Sequence, residues 1–186
     1  TNLHLETDLM IENPDKYIQE YAKAGSDTII IHYEASHNII KDLQNIKSYN
    51  KNAGIAINPD TDYKLLIPYL EYLDYILIMS VFPGFGGQEF IESTLKSMRY
   101  LVDNSKNHNI TIGVDGGVNL STIDRVYQTG IDVTIVGSAL YGAANVEQRY
   151  LELINEKWNI IKLQKWNKEK KDSSFFIFNT FVLSTV

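Results

Sequence analysis

The segment Met79-Ser80-Val81-Phe82-Pro83-Gly84-Phe85-Gly86-Gly87-Gln88 follows an apolar run that begins at Tyr75 and precedes a helical pattern from Glu89 onward. This order predicts a buried strand that leads into a glycine-rich loop and then into a helix. Three glycines within four residues allow positive φ angles and a close approach of the backbone to a ligand. The following helix presents unpaired N–H groups to the same space, so the segment predicts an anion site, with phosphate as the best candidate.

Two further apolar runs also end in glycine, and a helical pattern follows each of them. For any single glycine, a turn requirement is an equally good explanation. The convergence of three such loops favours the phosphate interpretation. The two runs are Ile112-Gly113-Val114-Asp115-Gly116-Gly117 and Thr134-Ile135-Val136-Gly137-Ser138.

Predicted strands alternate with predicted helices along the chain. Asn13 and Pro14 suit the start of the first helix, as a cap and a first-turn proline, and Gly25 suits its end. The alternation is typical of a parallel sheet covered by helices. The predicted strands span residues 3–10, 28–33, 54–58, 75–81, 110–114 and 133–136, and the helices span residues 13–23, 62–73, 89–104 and 121–129, with two more within residues 37–50 and 146–165.

Side-chain alternation predicts which residues face away from the helices. In the strand that ends at Asp115, the aliphatic residues share one face and Asp115 lies on the other. The same parity places Asp8 and His32 on the inner face of their strands. In a βα barrel this face leads to the mouth at the carboxyl ends of the strands, where the chemistry occurs. Asp8, His32 and Asp115 are therefore each predicted near such a mouth.

Composition limits the class of protein. The 186 residues, 44% of them hydrophobic, suit one globular domain with a substantial core. A net charge of −6 without a dense Lys/Arg cluster argues against a nucleic-acid surface. The sequence has no cysteine, no pattern typical of a signal peptide and no apolar stretch long enough to span a membrane. We expect a soluble cytoplasmic protein.

Five blocks, in the same order, resemble ribulose-phosphate 3-epimerase, and the resemblance covers about residues 7 to 160. The block from Met79 to Gln88 is the most specific. The resemblance implies a TIM-type (β/α)8 barrel, but only about six parallel βα units are found where the fold has eight. Because the first match is to the family's third strand, we expect the missing units before Thr1. The blocks are residues 9–14, 22–25 with 31–35, 79–88, 114–117 and 136–139.

The predicted partial barrel spans residues 1–164, and a separate tail spans residues 165–186. The tail is charged as far as Asp172 and apolar without helical spacing from Ser173 onward. It has no counterpart in the family. Three interpretations are open: the tail covers an exposed face of the barrel, adds a strand, or is a sequence artefact.

The resemblance implies epimerisation at C3 between D-ribulose 5-phosphate and D-xylulose 5-phosphate through a metal-stabilised enediolate. Asp115 matches an aspartate that is both a metal ligand and the acid/base group. The alternative is an aspartate that caps the turn into the next helix. The residues that match the family's substrate and phosphate contacts are Gly84, Phe85, Gly86, Gly87, Gly116, Gly117, Gly137 and Ser138.

Asp8 departs from the family pattern, which has a metal-binding histidine at this position. The resemblance implies one divalent metal ion of the Zn, Fe, Mn or Co class, held here by Asp115 and Asp8. Asp8 either keeps the site with a more oxygen-rich shell or marks its loss. For His32, a hydrogen-bonded structural role is favoured over ligation, and Glu34 is a site candidate only by its position. A sugar phosphate is the expected partner, and a homo-oligomer is compatible with the sequence.

Two functional hypotheses follow. The first is a phosphopentulose epimerase or a relative that acts on another ketose phosphate. The second is a non-catalytic remnant that binds a sugar phosphate or serves as a partner subunit. Because a second acid/base carboxylate is not well matched, we expect the isolated chain to bind its ligand better than it turns it over.

Overall fold

The computed structural model describes residues 3–154, which form one sheet of six parallel strands. Each strand pairs with the next one along the chain, which confirms the predicted order. Since the first and last of these strands lie at opposite ends of the sheet, the described residues form an incomplete barrel, as predicted. The strands are β1 (Glu6–Leu9), β2 (Thr28–His32), β3 (Asn52–Ile57), β4 (Tyr75–Met79), β5 (Thr111–Asp115) and β6 (Val133–Ile135).

Helices cover the outer face of the sheet. Outward residues such as Ile29 and Ile76 join Leu43 and Leu101 from the helices in one buried core. Apolar residues spaced three to four apart place one side of each helix against the sheet. In residues 3–154, no helix has the length and apolar character needed to cross a bilayer. The α-helices are α1 (Ile18–Ala24), α2 (Ile39–Ser48), α3 (Thr94–Asn104), α4 (Ile123–Tyr127) and α5 (Ser138–Tyr141), and a further helix covers residues 146–154.

The inner face of the sheet carries a smaller apolar cluster. Its members come from four strands, and Met10 packs against it. This cluster fills the space beneath the carboxyl ends of the strands. Polar side chains at those ends therefore pack against a buried apolar layer. The buried members are Ile30, Ala56, Tyr75, Leu77, Met79, Val133 and Ile135.

Several predicted helices differ from the observed ones. The segment predicted as a helix over residues 62–73 is a 3-10 helix, Tyr63–Tyr72, with Pro68 inside it. Proline has no N–H, and its ring clashes with the carbonyl of the preceding turn, so a regular α-helix is not favoured there. The helix predicted from Glu89 begins only at Thr94, because the preceding residues belong to the loop that closes on β4.

The first helical segment begins where predicted, with Pro14 in its first turn, but its helix type and its cap differ from the prediction. A 3-10 helix at Pro14–Lys16 precedes α1, and Asn13 makes no capping hydrogen bond with its side chain. Asn13 instead has a left-handed φ of 51°, and its side-chain oxygen lies 3.1 Å from Nε2 of His37. Gly25 ends α1 with a φ of 111°, as predicted. The predicted boundary at residue 164 and the tail lie outside the described residues.

Candidate active site

Asp115 is the last residue of β5 and lies on the inner face of the sheet. Its register partners are Met79 on β4 and Ile135 on β6, and both belong to the inner cluster. Burial, followed by the negative charge of Asp8, raises the pKa of Asp115 to about 6, although the Gly116 N–H and the charge of His32 act in the opposite direction. A carboxyl group with this pKa can accept or donate a proton near neutral pH.

Asp8 on β1 and His32 on β2 form a buried pair on the same inner face. The Nε2 atom of His32 lies 3.1 Å from Oδ1 and 3.4 Å from Oδ2 of Asp8. His32 is only 5% exposed and Asp8 only 3%. Of these contacts, the one to Oδ2 has hydrogen-bond geometry, so Oδ1 is buried without a hydrogen-bond partner among the described residues.

Glu34 approaches the other side of the His32 ring. Its Oε2 atom lies 3.8 Å from Nδ1, and its Oε1 atom accepts hydrogen bonds from the Asn58 N–H, at 2.8 Å, and from the Thr61 hydroxyl. Burial alone would lower the pKa of His32, but the hydrogen bonds and charges of Asp8 and Glu34 outweigh it and raise this pKa to about 9. His32 is therefore a cation at neutral pH, held between two carboxylates.

A second acidic group on β1, Glu6, lies two residues before Asp8 on the same face. Burial raises the pKa of Glu6 to about 7, and the neighbouring Tyr75 hydroxyl partly offsets this effect. Tyr75 lies over Gly113, where a Cβ atom would be only 2.3 Å from the phenolic oxygen. Strand parity alone places Glu6 on the inner face. The Tyr75 ring lies near Glu6 because Gly113, which has no side chain, leaves room for it.

The glycine-rich loop, residues 81–90, packs against the turn that follows Asp115. A Cβ atom on Gly116 would lie 2.9 Å from the Val81 nitrogen, and one on Gly117 would lie 2.6 Å from the Phe90 nitrogen. The structure therefore brings two of the three predicted phosphate loops into contact. Positive φ angles, which favour glycine, occur at Gly84, Gly87, Gly116 and Gly117.

The third predicted loop follows β6. Because β6 pairs in parallel with β5, Gly137 and Ser138 leave the sheet on the same side as Gly116. Gly137 has a φ of −95°, and Ser138 begins α5. At the tip of the glycine-rich loop, the Phe85 side chain is 84% exposed, so the described residues give it no packing role.

An open cleft of about 740 Å³ extends from His32 and Glu34 to Pro83 in the glycine-rich loop. Met10 lines it, and Lys16 contributes a cation to its wall. A cavity of this size accommodates a small-molecule ligand. The cleft reaches the glycine-rich loop only at Pro83, and its lining includes neither Asp8 nor Asp115.

The described residues contain no group of three or more His, Asp or Glu side chains placed to hold a metal ion. Asp8 and Asp115 offer carboxylate oxygens, which suit divalent metals, but Asp8 is in contact with His32. Residues 3–154 therefore supply too few ligands for a complete site. The assignment of Asp115 and Asp8 as metal ligands stays a prediction.

This architecture places the chain in the class of parallel (β/α)-barrel proteins, and comparison with solved structures supports the fold. KGPDC from Streptococcus mutans superposes with a TM-score of 0.66, at 14% identity, over 86% of this chain and 74% of that one. The 3-hexulose-6-phosphate synthase from Salmonella typhimurium gives a TM-score of 0.63, at 18% identity, over 84% and 74%. At these identities the likeness concerns the fold alone.

Sequence similarity identifies the family within this class. The model of the ribulose-phosphate 3 epimerase family matches residues 1–141. The ribulose-phosphate 3-epimerase of Aquifex aeolicus (strain VF5) is 40% identical over 154 residues, which cover 82% of this chain and 69% of the relative. The enzyme of the same name from Bacillus subtilis (strain 168) is 38% identical over 160 residues, covering 84% and 74%. The chain belongs to the ribulose-phosphate 3-epimerase family, whose members are isomerases.

Proposed function

We propose that this chain interconverts D-ribulose 5-phosphate and D-xylulose 5-phosphate by proton exchange at C3, with Asp115 as a proton-transfer group. The observation that carries the proposal is the position of Asp115. Its carboxyl, with a pKa of about 6, stands at the carboxyl end of β5, directly before the Gly116–Gly117 turn. A group with a pKa near the working pH serves as both base and acid.

In the proposed reaction, the Asp115 carboxylate removes the proton from C3, next to the carbonyl, and an enediolate forms. Return of a proton to the opposite face inverts the configuration. We assign this second proton transfer to Asp8. Asp8 lies on β1, the first strand of the sheet, whereas Asp115 lies on β5, and the negative charge of Asp8 raises the pKa of Asp115. His32 holds the Asp8 carboxylate in place. In each turnover Asp115 gains the proton that C3 loses, and Asp8 passes to C3 the Nε2 proton of the His32 cation. Proton exchange with solvent then returns Asp115 to its carboxylate and His32 to its cation.

The glycine loops are proposed to hold the phosphate of the sugar. Gly84, Gly86, Gly87, Gly116, Gly117, Gly137 and Ser138 would supply backbone N–H groups without bulky side chains in the way. Support comes from the direct packing of the first two loops and from the parallel exit of the third. Backbone N–H groups at such turns bind anions.

The resemblance also implies a divalent metal ion, which would stabilise the charge of the enediolate. Since the described residues do not form a complete metal site, the steps above use none. Calorimetric titration with Mn²⁺ or Co²⁺ tests whether the native chain and the Asp8→Asn variant bind a divalent metal ion. Tight binding that is lost in Asp8→Asn would identify Asp8 as a ligand and remove its assignment to proton transfer.

The test of the reaction is exchange of the C3 proton with deuterium, together with a coupled assay for xylulose 5-phosphate. We expect Asp115→Asn to lower kcat by about 10²- to 10⁴-fold, the usual contribution of a proton-transfer group. Asp103→Asn is the matched control, because Asp103 is an exposed residue that pairs with Lys106. If Asp115→Asn retains the activity of the control, or if the native chain exchanges no proton at C3, the proposal is wrong.

A further inference from the structure

Ser80 lies directly after β4, at the base of the glycine-rich loop, and it is completely buried. Its carbonyl oxygen accepts a hydrogen bond from the Ile91 N–H at 2.8 Å. Residues 80 and 91 flank the loop, so this bond closes the loop at its base. The positions of both ends of the glycine-rich loop are therefore set at Ser80.

The same residue is bonded to the end of β5. The Ser80 N–H donates to the Asp115 carbonyl oxygen at 2.7 Å. The Ser80 hydroxyl lies 2.9 Å from that oxygen and 2.6 Å from the Gly116 carbonyl oxygen, so its one proton has two acceptors within reach, of which Gly116 is the nearer. One buried side chain thus connects the base of the loop to the backbone of the residue that carries the proposed chemistry.

The surrounding packing leaves little room for independent movement. A Cβ atom at Gly116 would meet the Val81 nitrogen at 2.9 Å, and one at Gly117 would meet the Phe90 nitrogen at 2.6 Å. Closely packed segments with such contacts transmit displacement instead of absorbing it. A change in the loop on anion binding would therefore reach Asp115 through residues 80, 116 and 117.

We propose that Ser80 is a positioning residue that couples occupancy of the anion loops to the placement of Asp115. The inference rests on the proposed function, in which Asp115 transfers the proton. It has a chemical reason, because binding energy from a non-reacting phosphate can be used to align groups at the reacting carbon. Ser80→Ala would keep both backbone hydrogen bonds but leave the Gly116 carbonyl oxygen without the hydroxyl.

The test uses inorganic phosphate as the probe and NMR signals of the full chain as the readout. In the native chain, phosphate should shift signals both from Gly84 to Gly87 and from Asp115. In Ser80→Ala, the loop signals should still shift, with a Kd within about threefold of the native value, while the Asp115 response becomes clearly smaller. The variant's kcat should fall about 10- to 100-fold without a comparable change in KM.

Ser97→Ala is the matched control, because Ser97 is also a buried serine but lies on α3. It should keep the native phosphate response and the native kcat. If Ser80→Ala does not fold, Ser80→Cys, which keeps a weak donor, should show intermediate kcat and an intermediate Asp115 response.

Two results would overturn the inference, and they are distinguishable. If Asp115 responds to phosphate in Ser80→Ala as it does in the native chain, Ser80 does not couple the two sites. If phosphate shifts no loop signal even in the native chain, the anion site in the proposed function is itself wrong.

Discussion

The Nε2 atom of His32 lies 3.1 Å from Oδ1 of Asp8, and both side chains are almost completely buried. The two residues come from neighbouring parallel strands, and the register pairs Asp8 with Ile30, two positions before His32. The contact is therefore diagonal across the strand pair. At the place where the family pattern has a histidine, this chain has a carboxylate whose nearest charged neighbour is a cation.

The first prediction concerns the stability of this pair. Removing one partner from a buried ion pair leaves an uncompensated charge, at a typical cost of about 3–5 kcal/mol. We expect Asp8→Asn and His32→Gln each to lower the free energy of unfolding by an amount of this order at pH 7. The double variant should lose less than the sum of the two, because neither charge is then left alone. Urea unfolding measures all three.

The control for this cycle is Lys106→Gln, which breaks the exposed pair between Lys106 and Asp103. Exposed pairs of this kind contribute less than about 1 kcal/mol. If Asp8→Asn costs no more than Lys106→Gln, the buried pair is absent in solution.

The second prediction concerns acid stability. Burial alone would raise the pKa of Glu34, but hydrogen bonds from His32, Thr61 and the Asn58 N–H outweigh it and lower the pKa from 4.5 to about 2. The stabilisation from Glu34 is therefore present above pH 4.5 and is lost as the pH falls through 2. Glu34→Gln should be less stable than the native chain at pH 6, and this difference should shrink toward pH 2. Glu89→Gln, which changes an exposed glutamate in the same way, is the matched control.

The third prediction applies on the alkaline side of the pH range. The pKa of Glu6 is raised from 4.5 to about 7, so its stabilising contribution is present below pH 4.5 and is lost as the pH rises through 7. Glu6→Gln stays neutral and should be more stable than the native chain at pH 8, by up to about 3 kcal/mol. The gap should close near pH 4.5. Thermal unfolding between pH 4.5 and pH 8 measures this difference in stability. A difference that does not change with pH would contradict the raised pKa of Glu6.

Much of the fold was predictable because strand parity and glycine placement are local signals. Asp115 and Asp8 lie on the inner face, as the alternation of their strands predicts. The parallel order of the strands also follows from the alternation of strands with helices. Pro68 shows the limit of this reasoning, since a general helical pattern does not reveal how a proline changes the type of helix.

The contacts within the site were not predictable, because they depend on relations between distant segments. The contact between His32 and Asp8 depends on how β1 and β2 are aligned. The proximity of Tyr75 to Glu6 depends on the absence of a side chain at Gly113 on β5. The position of Ser80 in a specific motif was a signal, but its bonds to the end of β5 are visible only in three dimensions.

The last prediction tests the anion loops at Gly137. This residue has a negative φ of −95°, and a Cβ atom placed on it would meet no atom of residues 3–154 within 4 Å. Gly137→Ala should therefore fold normally and bind phosphate as the native chain does. Gly137→Asp adds a carboxylate at the same open position, where a like charge a few ångströms from the anion costs on the order of several kcal/mol. We expect its affinity for inorganic phosphate to fall at least about tenfold, less so at high salt. Calorimetry on the two variants separates charge from bulk, and equal phosphate affinity in both would remove Gly137 from the proposed site.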